Sequence, residues 1–73
     1  MDKSSKRRDA LLKYAVIHHL SYNETQRILE KYQQELLYVR LRRDSIISYG
    51  LLHNKDIDTI NKLCRKYNQE LLM

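Results

Sequence analysis

The sequence predicts an all-α fold of four short helices, and three observations predict it. Helix-favouring Leu, Lys, Arg, Glu and Gln are abundant, whereas Gly50 is the only glycine and proline is absent, so the tight hairpins of a β-protein have no turn chemistry here. Apolar residues recur at helical spacing along the chain. The chain also repeats itself, because a shift of 35 positions aligns Arg7 to Tyr38 with Arg42 to Met73 without a gap.

Eleven of these thirty-two pairs are identical: Arg7/Arg42, Arg8/Arg43, Asp9/Asp44, Tyr14/Tyr49, His18/His53, Lys31/Lys66, Tyr32/Tyr67 and the four of Gln34-Glu35-Leu36-Leu37 against Gln69-Glu70-Leu71-Leu72. Others exchange like for like, as Leu11/Ile46, Leu12/Ile47, Ala15/Gly50 and Ile28/Leu63 do. The chain therefore divides into a basic tail, 1–6, and two helical units, 7–38 and 42–73, which together form one domain.

Helix one is expected over 5–18, with Leu11, Tyr14, Ala15 and His18 on its apolar stripe. A tight turn at His18 to Ser21 follows. Ser21 with Glu24 three residues on is a capping box, since hydroxyl and carboxylate each satisfy an orphan backbone N–H, and it opens helix two over 22–34 with Thr25, Ile28, Leu29 and Tyr32 inward. Helix three, 40–53, repeats the first stripe as Ile46, Tyr49, Gly50 and His53. Asp56 caps helix four, 57–70, and Asp58 adds negative charge where the helix dipole favours it; Ile60, Leu63, Cys64 and Tyr67 face inward. The paired tyrosines are expected to fill the core in place of the missing Phe and Trp. The join from Gln34 to Val39 lacks glycine and proline, so it reads equally as a sharp turn or as continuous helix.

Fourteen Lys and Arg against nine Asp and Glu give a net charge of +5, which favours acidic partners. One cysteine, Cys64, makes no internal disulfide, and no apolar run is long enough for a signal peptide or a membrane span, so a cytoplasmic chain with no membrane partner is expected. Zinc requires ligands converging from spacings such as C-x-x-C, which His18, His19, His53 and Cys64 do not provide; neither a metal nor another cofactor is expected. No nucleophile, base and orienting group assemble, so the chain is not expected to be an enzyme.

Three sets of residues are candidates for binding. Lys6, Arg7, Arg8, Arg40, Arg42 and Arg43 cluster at or before the starts of helices one and three, where positive charge opposes the helix dipole and calls for compensation. The compensation is an internal one, with Glu35 or Glu70 meeting an Arg across the unit interface, or else an acidic protein or phosphate. Tyr22, Ile57, Leu36, Leu37, Leu71, Leu72 and Met73 are apolar yet lie off the stripes, so they are expected either to fold back or to cover a partner. On helix four, Thr59, Asn61, Lys62 and Arg65 form the face that a DNA-reading helix would present to base edges.

The strings Arg8-Asp9-Ala10-Leu11-Leu12, Leu20-Ser21 with Glu24-Thr25 and Ile28-Leu29, Leu37-Tyr38 with Arg40, and Arg43-Asp44-Ser45-Ile46-Ile47 with Ile60-Asn61 and Leu63 carry a resemblance from about Lys6 onward. They resemble the C-terminal helical units of XRE-type helix-turn-helix regulators of Gram-positive bacteria. That family usually has a glycine before the Leu-Tyr pair and a proline after it, where this chain has Gln33, Gln34, Glu35 and Val39. Only five residues precede Lys6, so the resemblance implies a regulatory or interaction module without the family's upstream DNA-reading helices.

The expected function is that of a small regulator or adaptor, encoded by a phage or mobile element, that binds another protein and self-associates as a homodimer. The alternative is a transcriptional regulator that reads DNA through helix four with phosphate contacts from Arg40 to Arg43. A chain this short has a core worth only roughly 3 to 5 kcal/mol, which makes help from a partner or second copy reasonable.

Overall fold

Side-chain caps mark where the second and fourth helices start. The computed structural model describes residues 3–72, with side chains from Arg7 onward, and these form four helices: α1 (Lys3–Ile17), α2 (Tyr22–Lys31), α3 (Arg42–Leu52) and α4 (Ile57–Lys66). At the start of α2, Ser21 Oγ accepts from Glu24 N at 3.0 Å and Glu24 Oε1 accepts from Ser21 N at 2.9 Å, which completes the capping box. Asp56 caps α4 by accepting from Thr59 N at 2.9 Å. The Thr59 hydrogen bonds hold the Asp56 carboxyl below its ordinary pKa. Its stabilisation is therefore present at neutral pH and lost as acid titrates it through the depressed folded value, which a far-UV circular dichroism titration of Asp56→Ala against wild type will register as a loss of pH dependence.

All four helices end in the same way, and without glycine. His19, Gln33, Asn54 and Asn68 take φ of 55°, 59°, 54° and 57°. Each donates to the carbonyl three residues back while the next residue donates five back, as in Leu20 N to Ala15 O and Gln34 N to Leu29 O, which is the Schellman arrangement. Asparagine and histidine are enriched in the left-handed region among residues with a side chain, but glutamine is not. Gln33→Gly is expected to raise the unfolding free energy by about 0.5 to 1 kcal/mol in urea titrations, and an equal loss would show that the added chain entropy dominates.

These stops shorten α2 and α4 relative to the expected 22–34 and 57–70, and they separate α2 from α3 by a non-helical stretch. Past each stop the Gln-Glu-Leu-Leu run turns back as a tail. Gln34 Nε2 donates to the Tyr32 carbonyl at 3.2 Å, and Gln69 Nε2 to the Tyr67 carbonyl at 3.0 Å, each satisfying an orphan helix-end acceptor. Leu37 and Leu72 then enter the core.

That core consists of Leu12, Ala15, Val16, Leu29, Leu37, Ile46, Ile47, Leu51, Ile60, Cys64 and Leu72. Both units contribute to it, with α1 packed on α2, α3 on α4, and α1 against α3. A radius of gyration of 11.0 Å matches the roughly 11 Å expected for a compact domain of this length, so the two units close on each other and do not extend as a solenoid. Gly50 permits a close approach of α3 and α4: a Cβ there would meet Ile60 Cδ1 and lie 2.6 Å from Ile60 Cγ1. The equivalent pair in unit one is Ala15 and Thr25, both fully buried, so one copy carries the larger residue on the first helix and the other carries it on the second.

The tyrosines are not in this core. Tyr14, Tyr32, Tyr49 and Tyr67 are 40 to 51% exposed, which corrects the expectation that they fill it. The buried stripe runs through Leu12 and Val16, and through Ile47 and Leu51, about one residue round from the expected stripe. Helices approaching as closely as Gly50 and Ile60 leave no room for a phenol, and the hydroxyl keeps its water by staying at the rim.

Candidate binding clefts

The basic clusters resolve first. Arg8 donates from both terminal nitrogens to Asp44, at 3.3 and 2.9 Å, and Arg43 does the same to Asp9, at 3.0 and 3.1 Å. Because Arg8 corresponds to Arg43 and Asp9 to Asp44, one contact is made twice in opposite senses, the signature of an isologous interface. Each guanidinium also holds its own unit's tail. Arg8 Nε donates to Glu35 O at 2.8 Å and a terminal nitrogen to Leu36 O, while Arg43 donates likewise to Glu70 O at 2.8 Å and Leu71 O. Glu35 and Glu70 thus act through backbone carbonyls within their own units, where carboxylates across the interface were expected. Arg8 and Arg43 are occupied inside the domain.

Arg7, Arg40 and Arg42 remain exposed, and Lys6 lies outside the described side chains. Among the apolar candidates, Leu37 and Leu72 are 5% and 0% exposed, so they are core residues and not partner contacts. Tyr22, Ile57 and Leu71 are half-buried against that core, Leu36 is exposed, and Met73 lies outside the described residues.

Helix four loses a candidate for the same reason. Asn61 accepts from Leu72 N at 2.8 Å and donates to Leu72 O at 3.1 Å, and Gln26 makes the matching pair with Leu37 at 2.8 and 3.3 Å. Asn61 is therefore a clamp for the chain's tail, while Lys62 and Arg65 stay exposed and Thr59 is half-buried. The signal was present in the sequence as an amide at equivalent positions of both copies. Asn61→Ala removes both partners of Leu72 and is expected to cost about 1 to 3 kcal/mol, with the Leu72 amide losing protection from hydrogen exchange. Unchanged protection at Leu72 would rule the clamp out.

Four of the exposed tyrosines line two clefts. Between α3 and α4, Ile46, Tyr49, Leu63 and Tyr67 form one apolar cleft. Between α1 and α2, the equivalent Leu11, Tyr14, Ile28 and Tyr32 form the other, with Ala10 and Lys31. His18 packs on Tyr14 with ring centroids 4.3 Å apart, and His53 on Tyr49 at 4.6 Å. Lys31 stands 5.9 Å from the Tyr32 ring, and both Arg42, at 5.4 Å, and Lys66, at 5.6 Å, stand over Tyr67. Each cleft thus combines apolar walls with a cationic rim.

Cys64 is fully buried, and burial raises its thiol pKa, the opposite of what a nucleophile needs. No group of three His, Cys, Asp or Glu among the described residues is placed to hold a metal ion, and no helix among them is long and apolar enough to cross a membrane. No protein-family model matches the chain, and no similar curated protein or solved structure was found.

Proposed function

We propose that this protein is a small non-enzymatic regulator or adaptor that acts by binding another protein, and that it binds through the two tyrosine-lined clefts. The observation that carries this reading is the exposure of four tyrosines, 40 to 51% each, around equivalent clefts in both units. A tyrosine ring presents a large rigid surface at little entropic cost, which is why the residue is enriched where proteins meet. A small soluble domain does not ordinarily leave so many aromatic rings beside apolar walls without a use for them. The resemblance to helical units of bacterial regulators agrees with a regulatory role, and the placement of Asn61 on the tail weighs against base reading by α4.

Affinity capture from native host cells tests the reading, with wild type compared to a variant carrying Tyr→Ser at 14, 32, 49 and 67. A nuclease-resistant protein retained by wild type and lost from the folded variant is the expected result. Recovery of nuclease-sensitive DNA alone, equally by both, would favour the DNA-binding alternative and overturn the proposal.

A further inference from the structure

The two clefts share their walls but not their rims, and the difference points to a partner. In unit two, Arg42 and Lys66 both lie within 6 Å of the Tyr67 ring, where unit one sets Lys31 at the Tyr32 ring, and no carboxylate lines the unit-two cleft. The carboxylates of unit two are committed or placed elsewhere: Asp44 holds Arg8, Asp56 caps α4, Asp58 lies in the first turn on the side away from Leu63, and Glu70 follows the helix. Inside the rim, Ile46 and Leu63 offer only apolar surface.

We infer that the cleft of unit two binds an acidic protein segment that inserts an apolar side chain between Tyr49 and Tyr67 and sets carboxylates against Arg42 and Lys66. The inference rests on the clefts being the binding surface. Charge complementarity selects this occupant. A second copy of a chain with net charge +5 would bring its own cationic rim against this one, and like charges facing each other oppose that pairing. The clefts also differ in strength for such a segment, since among the described side chains two cations stand at the Tyr67 ring of unit two and one, Lys31, at the Tyr32 ring of unit one. The unit-one cleft is the weaker of the two.

The test is selection of a phage-displayed random peptide library on the immobilised full-length protein, counter-selected on Tyr49→Ser/Tyr67→Ser, followed by fluorescence anisotropy of the enriched peptides. Enriched sequences are expected to combine Asp or Glu with Leu, Ile, Phe or Trp. Their affinity is expected to fall with salt and to fall roughly tenfold in Arg42→Gln/Lys66→Gln. Circular dichroism melting of each variant separates loss of binding from loss of fold. Peptides that depend on Tyr49 and Tyr67 yet carry no acidic residues would overturn the charge assignment and leave the protein-binding cleft standing. No cleft-dependent peptide at all would overturn the clefts themselves. A concentration-dependent dimer abolished by Tyr49→Ser/Tyr67→Ser would place a second copy in the cleft and overturn the acidic segment.

Discussion

Asp44→Ala is expected to leave the chain largely unfolded at room temperature. The Asp44 carboxylate is buried, with its side chain 4% exposed, and it accepts two hydrogen bonds from Arg8 and one from Tyr38 N at 2.9 Å. Removing it leaves a guanidinium whose side chain is only 15% exposed without its counter-charge, held by the Glu35 and Leu36 carbonyls alone, and orphans the Tyr38 backbone N–H. Breaking one side of a buried pair costs about 3 to 5 kcal/mol, and a domain of this size has roughly that much stability in all. Urea titration followed by circular dichroism will measure the loss. Alkylation of Cys64, whose thiol is shielded and unreactive in the fold, reports the same opening independently. Asp9→Ala is the built-in comparison: the partner geometry is equivalent, but the Asp9 side chain is 24% exposed, so water replaces more of what is lost and the effect is smaller. Equal midpoints for the two variants would show that burial at Asp44 does not set the energetics.

Gly50→Ala is expected to destabilise the domain by about 1 to 3 kcal/mol from overpacking, offset by about 1 kcal/mol of helix propensity. The added Cβ runs into Ile60 at the crossing of α3 and α4. The informative variant is the double one, Gly50→Ala with Ile60→Thr, because it gives unit two the pair that unit one carries as Ala15 and Thr25. In unit one the Thr25 hydroxyl donates to the Ser21 carbonyl at 2.8 Å, and the Asp56 carbonyl occupies the equivalent place for the new hydroxyl. The two substitutions should therefore be non-additive, with the double variant more stable than the sum of the singles predicts by roughly 0.5 to 3 kcal/mol. Additive losses in a thermal or urea double-mutant cycle would mean that the two positions do not compensate each other.

Helix number, order and the starts of α2 and α4 were legible in the sequence because they depend on local chemistry. Ser21, Glu24 and Asp56 act within four residues of themselves, and their pattern is the same in sequence as in space. The ends of α1 and α3 fall within one residue of the expected ones, but those of α2 and α4 were less legible, since their left-handed stops fall on Gln33 and Asn68 and glutamine gives little warning of a positive φ. Continuing α2 and α4 through Gln-Glu-Leu-Leu was the consequence, and it turned two core leucines into candidate partner contacts. The clefts were missed for another reason. Counting Tyr14 and His18 as inward-facing placed the stripe one residue off, although Leu12 and Val16 offered the same spacing with no polar atom to satisfy. The retained Arg-Arg-Asp and Gln-Glu-Leu-Leu runs did indicate internal pairing, but which carboxylate met which arginine depends on how two distant helices cross.

The crossed arginines have a consequence for how the molecule comes apart. Each unit keeps the counter-charge that the other requires, and each tail is fastened by an arginine whose orientation depends on the opposite unit. Separating the halves would leave two guanidinium groups, two carboxylates and two loosened tails without their partners at once, so neither half is a stable resting point. Unfolding is accordingly expected to be all-or-none, with melting curves from α1 and from α4 superimposing and no species in which one repeat persists while the other is lost.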